Sequence, residues 1–170
     1  VIDEHKVEKK ELSDFIDMLK MAKGGPEFLN DPEWQYTLAG FLIAGYETTG
    51  VGLSWAWFLL AKHPEVIERI REETDKVVGD REVQGSDYPK LKYTERVFKE
   101  VLRLYPPIPV IPRNAGVEYR LDKYIVPKDT LVLVCPWVTQ RDSRYFKDPT
   151  KFNPDRWENN KSSPYAYVPF

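Results

Sequence analysis

Cysteine and histidine are almost absent from this chain. Among its 170 residues there is one cysteine, Cys135, and there are two histidines, His5 and His63. A single thiol excludes an internal disulfide, and two imidazoles exclude a histidine-rich metal site. The sequence also lacks a glycine-rich phosphate loop and a nucleophile elbow. These absences exclude several common classes of catalytic site.

An excess of basic charge is missing as well. The chain has 25 Lys and Arg against 27 Asp and Glu, which gives a formal charge of -2. This balance offers no electrostatic reason to expect a nucleic acid as partner. A hydrophobic content of 42% with 31% charged residues is typical of an ordered globular protein. Because the chain has no initiator Met and closes on Val168-Pro169-Phe170 without a polar tail, we expect it to be a piece of a longer protein.

Proline is absent from Glu33 to His63, and Glu47 is the only charged residue from Leu38 to Ala61. Asp31 as N-cap and Pro32 at the first helical position predict a helix that runs to about Lys62. Three interpretations of its apolar stretch stay open: an ordinary core helix, a transmembrane span, or a helix with a functional polar notch.

The other segments predict a mainly α protein with a small β-sheet, an α+β fold. Amphipathic patterns predict helices around Leu12–Leu19, from His63-Pro64 to Gly79, and from Leu91 to Tyr105. Period-two patterns predict short strands at 117–121, 124–126 and 130–134, and the region from Arg141 onward is expected to be a packed irregular loop.

The polar notch consists of Ala44-Gly45-Tyr46-Glu47-Thr48-Thr49. Glycines in and after it weaken a helix, so we expect a local kink or bulge there. Adjacent Glu47 and Thr48 offer a carboxylate and an alcohol, a pair suited to relaying protons in a water-poor pocket.

Glu100 and Arg103 stand three residues apart on the apolar stripe of the third helix, which favours a buried ion pair. Arg156 is either a second partner for Glu100 or a cation packed on Trp157. Arg113 follows an apolar, proline-rich stretch, and its guanidinium suits a carboxylate partner.

Four motifs follow one another in an order that closely resembles the cytochrome P450 family. They are residues 44–49, Glu100-Val101-Leu102-Arg103 leading into Leu104-Tyr105-Pro106-Pro107, then Arg113, and finally Phe152-Asn153-Pro154-Asp155-Arg156-Trp157. The resemblance runs from Asp14 to Phe170. It implies that residues 1–170 form a single partial domain of that fold, with the N-terminal part and the cysteine loop outside the chain.

For the intact protein, the resemblance implies a monooxygenase that binds haem b. It would insert one oxygen atom from O2 into a hydrophobic small molecule, with electrons from a ferredoxin or a flavoprotein reductase. The resemblance implies the location of the intact protein only broadly: it would be cytoplasmic, or anchored to a membrane through an N-terminal segment and facing the cytoplasm. A haem-free, noncatalytic module of the same fold and a membrane-inserted structural segment are the alternatives.

The resemblance also implies roles at matching positions. Ala44 and Gly45 would line the oxygen groove, and Glu47 with Thr48 would deliver protons for heterolytic cleavage of the O–O bond. Arg113 would pair with a haem propionate. An ion-pair triad beside the haem would consist of Glu100, Arg103 and Arg156. The residues that face the substrate would be Phe41, Ile108, Val110 and Ile111.

Two departures from the family pattern matter. Phe170 matches the first phenylalanine of the family's ligand loop, so the axial cysteine is expected after it and the 170 residues alone should be inactive. Gln140 stands where many members have histidine before Arg-Asp, so the resemblance does not carry over any local contact made by that histidine.

Overall fold

A computed structural model describes residues 32–158 and 165–169. The helix predicted around Leu12–Leu19 and the Asp31 cap lie outside these residues. The chain divides after Glu47 into a unit of residues 1–47 and a unit of residues 48–170. The described part of the first unit is helical throughout, whereas the second contains several helices and short strands. The expectation of a single partial domain stays a prediction.

Helix α1 spans Pro32–Lys62, as the proline-free stretch predicts. It is one continuous α-helix through Gly40, Gly45, Gly50 and Gly52, so the expected bulge is not present. A regular helix tolerates these glycines at a cost in stability alone. Within the described residues, no helix combines the length and apolar character needed to cross a bilayer.

Helix α2 spans Pro64–Val77 and helix α3 spans Lys92–Leu104, which confirms both predicted helices. Proline at the first position begins α2, and Gly79 ends it by taking a left-handed φ of 62°. A 3₁₀ helix, Gly85–Lys90, joins the two. The stacked rings of Trp55 and Tyr105, 4.0 Å apart, pack the end of α1 against the end of α3.

The strands form two short antiparallel pairs. Strand β1 (Ile111–Asn114) pairs with β4 (Leu131–Val134), and β2 (Tyr119–Leu121) pairs with β3 (Tyr124–Val126). Tight turns at Asp122 and Asp129 use positive φ angles of 53° and 65°, which Asp tolerates better than most residues. The sequence predicted β2, β3 and β4 within two residues, and did not predict β1.

The chain after β4 has little regular structure, as predicted. A four-residue helix, α4 (Pro136–Thr139), follows Cys135, and a 3₁₀ turn (Pro154–Trp157) lies near the end of the first described range. The core of the second unit lies where α1, α2 and α3 meet this irregular segment. Its buried members are Ala56, Leu59, Val66, Tyr93, Val97, Val101, Leu104 and Phe152.

A carboxylate from α2 caps the start of α3. Glu73 accepts hydrogen bonds from the backbone N–H groups of Tyr93, at 2.6 Å, and Thr94, at 2.8 Å. These are among the helical N–H groups that have no partner inside the helix. Partial burial opposes ionisation of Glu73, but the bonds from Tyr93 and Thr94 outweigh it, so the pKa of Glu73 lies below its usual range.

We predict that Glu73→Gln lowers the free energy of unfolding by about 1 kcal/mol at neutral pH. Because the folded-state pKa is depressed, the stabilisation is full above the unfolded pKa of about 4.3 and is lost as pH falls below it. Chemical denaturation of the intact protein at several pH values measures this. Glu72→Gln, at an exposed neighbouring position, is the matched control, and an equal effect in both variants would contradict the capping role.

Candidate functional site

Glu100 and Arg103 lie one turn apart on the buried face of α3, and both side chains are 0% exposed. The apolar stripe that also contains Tyr93, Val97 and Leu104 turns this face toward the core. Arg103 Nε and Nη2 donate to Glu100 Oε2 and Oε1, each at 2.9 Å. The planar guanidinium therefore holds both oxygens of the carboxylate at once.

The remaining donors of Arg103 all meet backbone carbonyls of the irregular segment. Nη1 donates to the carbonyl oxygens of Gln140, at 2.7 Å, and Pro149, at 2.6 Å, and Nη2 donates to that of Lys151 at 3.3 Å. A guanidinium has five N–H donors, and each has an acceptor here. Full pairing is what allows a cation to be completely buried.

Glu100 also binds the motif at 152–157. Its Oε1 accepts from Arg156 Nε at 2.9 Å and from the backbone N–H of Asn153 at 3.0 Å, and its Oε2 accepts from Trp157 Nε1 at 2.9 Å. Of the two roles left open for Arg156, the structure thus shows the one beside Glu100. The contacts of Asn153 and Trp157 with Glu100 were not predicted, although both residues lie inside the motif at 152–157.

One carboxylate sits between two guanidinium groups in this network. Arg156 completes its hydrogen bonding with the carbonyl oxygens of Lys147, Asp148 and Lys151 at 2.7, 3.2 and 3.3 Å. The negative ends of these carbonyl dipoles therefore face the second guanidinium, whose charge Glu100 alone does not balance. Because Glu100 already accepts five hydrogen bonds, its oxygens have no lone pair left for a substrate proton. The network can tie α3 to the irregular segment, but it is not suited to acid–base catalysis.

The notch residues lie in the middle of α1. Ala44, Gly45 and Glu47 are exposed in the described structure, and Thr48 is partly buried. Open space surrounds Gly45, since a Cβ placed there would meet nothing within 4 Å. Adjacent positions on one helix keep the carboxyl of Glu47 and the hydroxyl of Thr48 close in the chain. The predicted proton-relay role stays a prediction.

Arg113 lies in β1 opposite Val132, and its guanidinium is exposed. Its Nη1 donates to the carbonyl oxygen of Pro112 at 2.8 Å, so most of its five donors remain available to an anion. The candidate substrate-facing residues before it are exposed at 108 and 110 and half-buried at Ile111. Phe41, on α1, is 56% exposed. Strand β1 and the segment leading into it thus present apolar side chains beside one cation.

Cys135 follows β4 directly and is half-buried. Its Sγ lies 4.0 Å from the carbonyl oxygen of Leu133. Among the described residues, no cluster of His, Cys, Asp or Glu could hold a metal ion. Within the part of the chain that the structure describes, Cys135 therefore lies at the end of a strand, apart from any cluster of metal ligands.

Comparison with known proteins finds the same family that the four sequence motifs resemble. The family model for cytochrome P450 matches residues 2–170. The isoflavone 2'-hydroxylase of Glycyrrhiza echinata is 37% identical, over 93% of this chain and 32% of its own length. Cyclooctatin synthase of Streptomyces melanosporofaciens is 37% identical, over 84% of this chain and 32% of its own length.

Solved structures give the same result. A cyanobacterial cytochrome P450 with bound retinoic acid matches 99% of this chain and 40% of its own, with a TM-score of 0.88 and 30% identity. A zebrafish cytochrome P450 with progesterone matches 75% of this chain and 29% of its own, with a TM-score of 0.68 and 37% identity.

The chain belongs to the cytochrome P450 family, because the family model covers almost all of it and a relative above 30% identity spans more than nine-tenths of it. It spans about a third of the length of the curated relatives that it matches.

We predict that Arg103→Met lowers the free energy of unfolding of the intact protein by about 3–5 kcal/mol, because it leaves the Glu100 charge buried beside only one cation. The matched control is Arg71→Met. Arg71 pairs with Glu68 at the same three-residue spacing, at 2.7 Å, but both side chains are more than 60% exposed. Its loss should change stability by less than about 1 kcal/mol. Similar losses in the two variants, measured by chemical denaturation, would contradict the role of burial.

Proposed function

We propose that the chain is part of a haem-thiolate monooxygenase that inserts one oxygen atom from O2 into a hydrophobic organic substrate. The observation that carries this proposal is the cytochrome P450 match over residues 2–170. Relatives named as a hydroxylase and a synthase support an oxidative activity. Neighbours solved with retinoic acid and progesterone support a largely apolar substrate.

The described residues fit part of a haem site. Arg113 is an exposed cation with free donors, suited to a propionate, and Gly45 leaves space for a planar group to approach α1. Cys135 is half-buried at the end of β4, so we propose that the thiolate that would hold the haem comes from another segment of the whole protein. For the same reason we expect the 170-residue chain to be inactive by itself.

When bound with a thiolate ligand, haem would supply the iron that activates O2. The balanced reaction takes a substrate C–H bond, O2, two electrons and two protons, and gives an alcohol and water. Two protons must therefore reach a site from which bulk water is largely excluded. We assign this relay to Glu47 and Thr48, a carboxyl that exchanges protons and a hydroxyl that both donates and accepts.

The other candidate residues would bind and orient. Ala44 and Gly45 are small enough to leave room for O2 beside α1. The apolar side chains of Phe41, Ile108, Val110 and Ile111 would contact the substrate and exclude water, which strengthens polar interactions inside the site. The electron donor is expected to be a ferredoxin or a flavoprotein reductase.

We predict that the intact protein, reduced and treated with carbon monoxide, shows the Soret band of a thiolate-ligated haem. An absorption spectrum measures this directly. A folded intact protein that takes up no haem even after reconstitution would overturn the proposal, and would favour a noncatalytic module of the same fold.

A second prediction addresses the relay. Glu47→Gln and Thr48→Val should each reduce product formed per O2 consumed by roughly tenfold or more, because proton transfer by a positioned side chain typically contributes that much. Oxygen uptake with release of peroxide should persist.

Ser54→Ala is the matched control for the relay, since it removes a hydroxyl from the same helix. The Ser54 hydroxyl donates to the carbonyl oxygen of Gly50 at 2.8 Å and has no assigned role in the reaction. If coupling in the Glu47 and Thr48 variants stays at the level of Ser54→Ala, the relay assignment is wrong.

A further inference from the structure

The side-chain amide of Gln140 joins two separate parts of the second unit. It is 0% exposed, and its Nε2 donates to the carbonyl oxygens of Leu102, at 3.1 Å, and Arg103, at 3.0 Å. Both carbonyls belong to the last turn of α3, where helical C=O groups have no partner within the helix. Its Oε1 accepts from the backbone N–H of Val168 at 2.8 Å. Both donors and the acceptor of the amide are thus in use.

The main chain of Gln140 belongs to the ion-pair network. Its carbonyl oxygen accepts from Arg103 Nη1 at 2.7 Å. The same residue therefore contacts Arg103 through its backbone and the chain at Val168 through its side chain. Any displacement of Gln140 would be transmitted to both partners.

The segment of residues 165–169 packs against the same region. Ala166 is 2% exposed, and the Tyr167 ring lies 4.6 Å from that of Trp157. Burial, together with the nearby Glu100 charge, raises the pKa of Tyr167, so its hydroxyl stays protonated and donates to the carbonyl oxygen of Lys99 at 3.3 Å. Among the described residues, these two hydrogen bonds anchor the segment, and the one to Gln140 is shorter and goes to a fully buried residue.

We propose that Gln140 is a positioning residue that fixes the backbone at Val168 against the C-terminal end of α3, and so sets the path of the chain that carries the thiolate ligand. This rests on the proposed function and on the resemblance that matches Phe170 to the start of the ligand loop. An amide suits the position because it donates and accepts at once without a charge. A second cation beside Arg103 would be costly in a buried site.

A neutral imidazole can also donate from one nitrogen and accept at the other. Gln140→His should therefore preserve the contact with Val168 and one of the two contacts with the carbonyls of α3 at about pH 8, above the usual histidine pKa of about 6.5. Gln140→Met keeps a similar length and removes both the donors and the acceptor. Tyr167→Phe removes the other anchor of the same segment and serves as the matched control.

Hydrogen exchange of the intact protein tests the contact itself. In the wild type the Val168 amide should be protected, and Gln140→Met should speed its exchange about tenfold while amides of α2 keep their rates. Gln140→His should restore protection, and Tyr167→Phe should leave it largely intact. A Val168 amide that exchanges as fast as exposed amides in the wild type would overturn the proposal. If Gln140→Met does not fold, Gln140→Asn, one methylene shorter, takes its place.

The spectrum of the reduced, carbon-monoxide-treated protein distinguishes a positioning role of Gln140 from a general effect on the stability of the fold. We expect Gln140→Met to retain haem but to shift at least half of it from the thiolate band to the band of a neutral ligand. Gln140→His should reverse this shift, and Tyr167→Phe should not cause it. Loss of haem in proportion to loss of folded protein, with no change of band, would show a structural role only and overturn the proposal.

The two proposals fail in different ways. If the wild-type protein shows no thiolate band, the proposed function fails and the positioning role falls with it, whatever the exchange at Val168. If the band is present but unchanged by Gln140→Met, only the positioning role is wrong.

Discussion

Burial of the Glu100 carboxylate is the constraint on which much of the second unit depends. An ionised carboxylate in the core is tolerated only when charges and hydrogen-bond donors replace the water it has lost. Here two guanidinium groups, one indole and one backbone N–H do so. Their donors come from α3 and from the segment at 153–157, so these parts must lie together whenever Glu100 is inside. The ion pair thus stabilises one particular arrangement of the chain.

The same constraint explains why the segment from 140 to 157 has so little regular structure. Its carbonyl oxygens at 140, 147, 148, 149 and 151 accept from Arg103 and Arg156. In a helix or a central strand, these oxygens would be occupied by backbone N–H groups. Irregular backbone leaves these neighbouring carbonyls free to face a cation, and Asp148 contributes a positive φ of 47°. The absence of periodicity is therefore part of how the two arginines are buried.

Structural and chemical roles are assigned to different residues of this chain. The ion-pair network satisfies its charges within residues 100–157 and is buried. By contrast, Glu47, Arg113 and the apolar candidates Phe41, Ile108 and Val110 are exposed. That exposure agrees with the proposed function, because side chains that contact haem or substrate must be accessible to a bound molecule and cannot be covered by the rest of the protein. Gln140 adds a further contact to the structural set, since its side chain accepts from the backbone N–H of Val168.

Local signals in the sequence determined the helices, since Pro32, Pro64, Gly79 and Pro106 act on their own turn of the chain. The apolar stripe of α3 likewise placed Glu100 and Arg103 inside. Only the tertiary structure decided whether Arg156 binds Glu100, that Glu73 caps a helix 20 residues later, and that Gln140 reaches Val168. These contacts join positions far apart in sequence, and side-chain identity alone does not select among the many partners within reach. Local propensity also did not predict that α1 stays one continuous helix through its glycines. Propensity gives the free-energy cost of glycine in a helix, but it does not decide whether the helix breaks there.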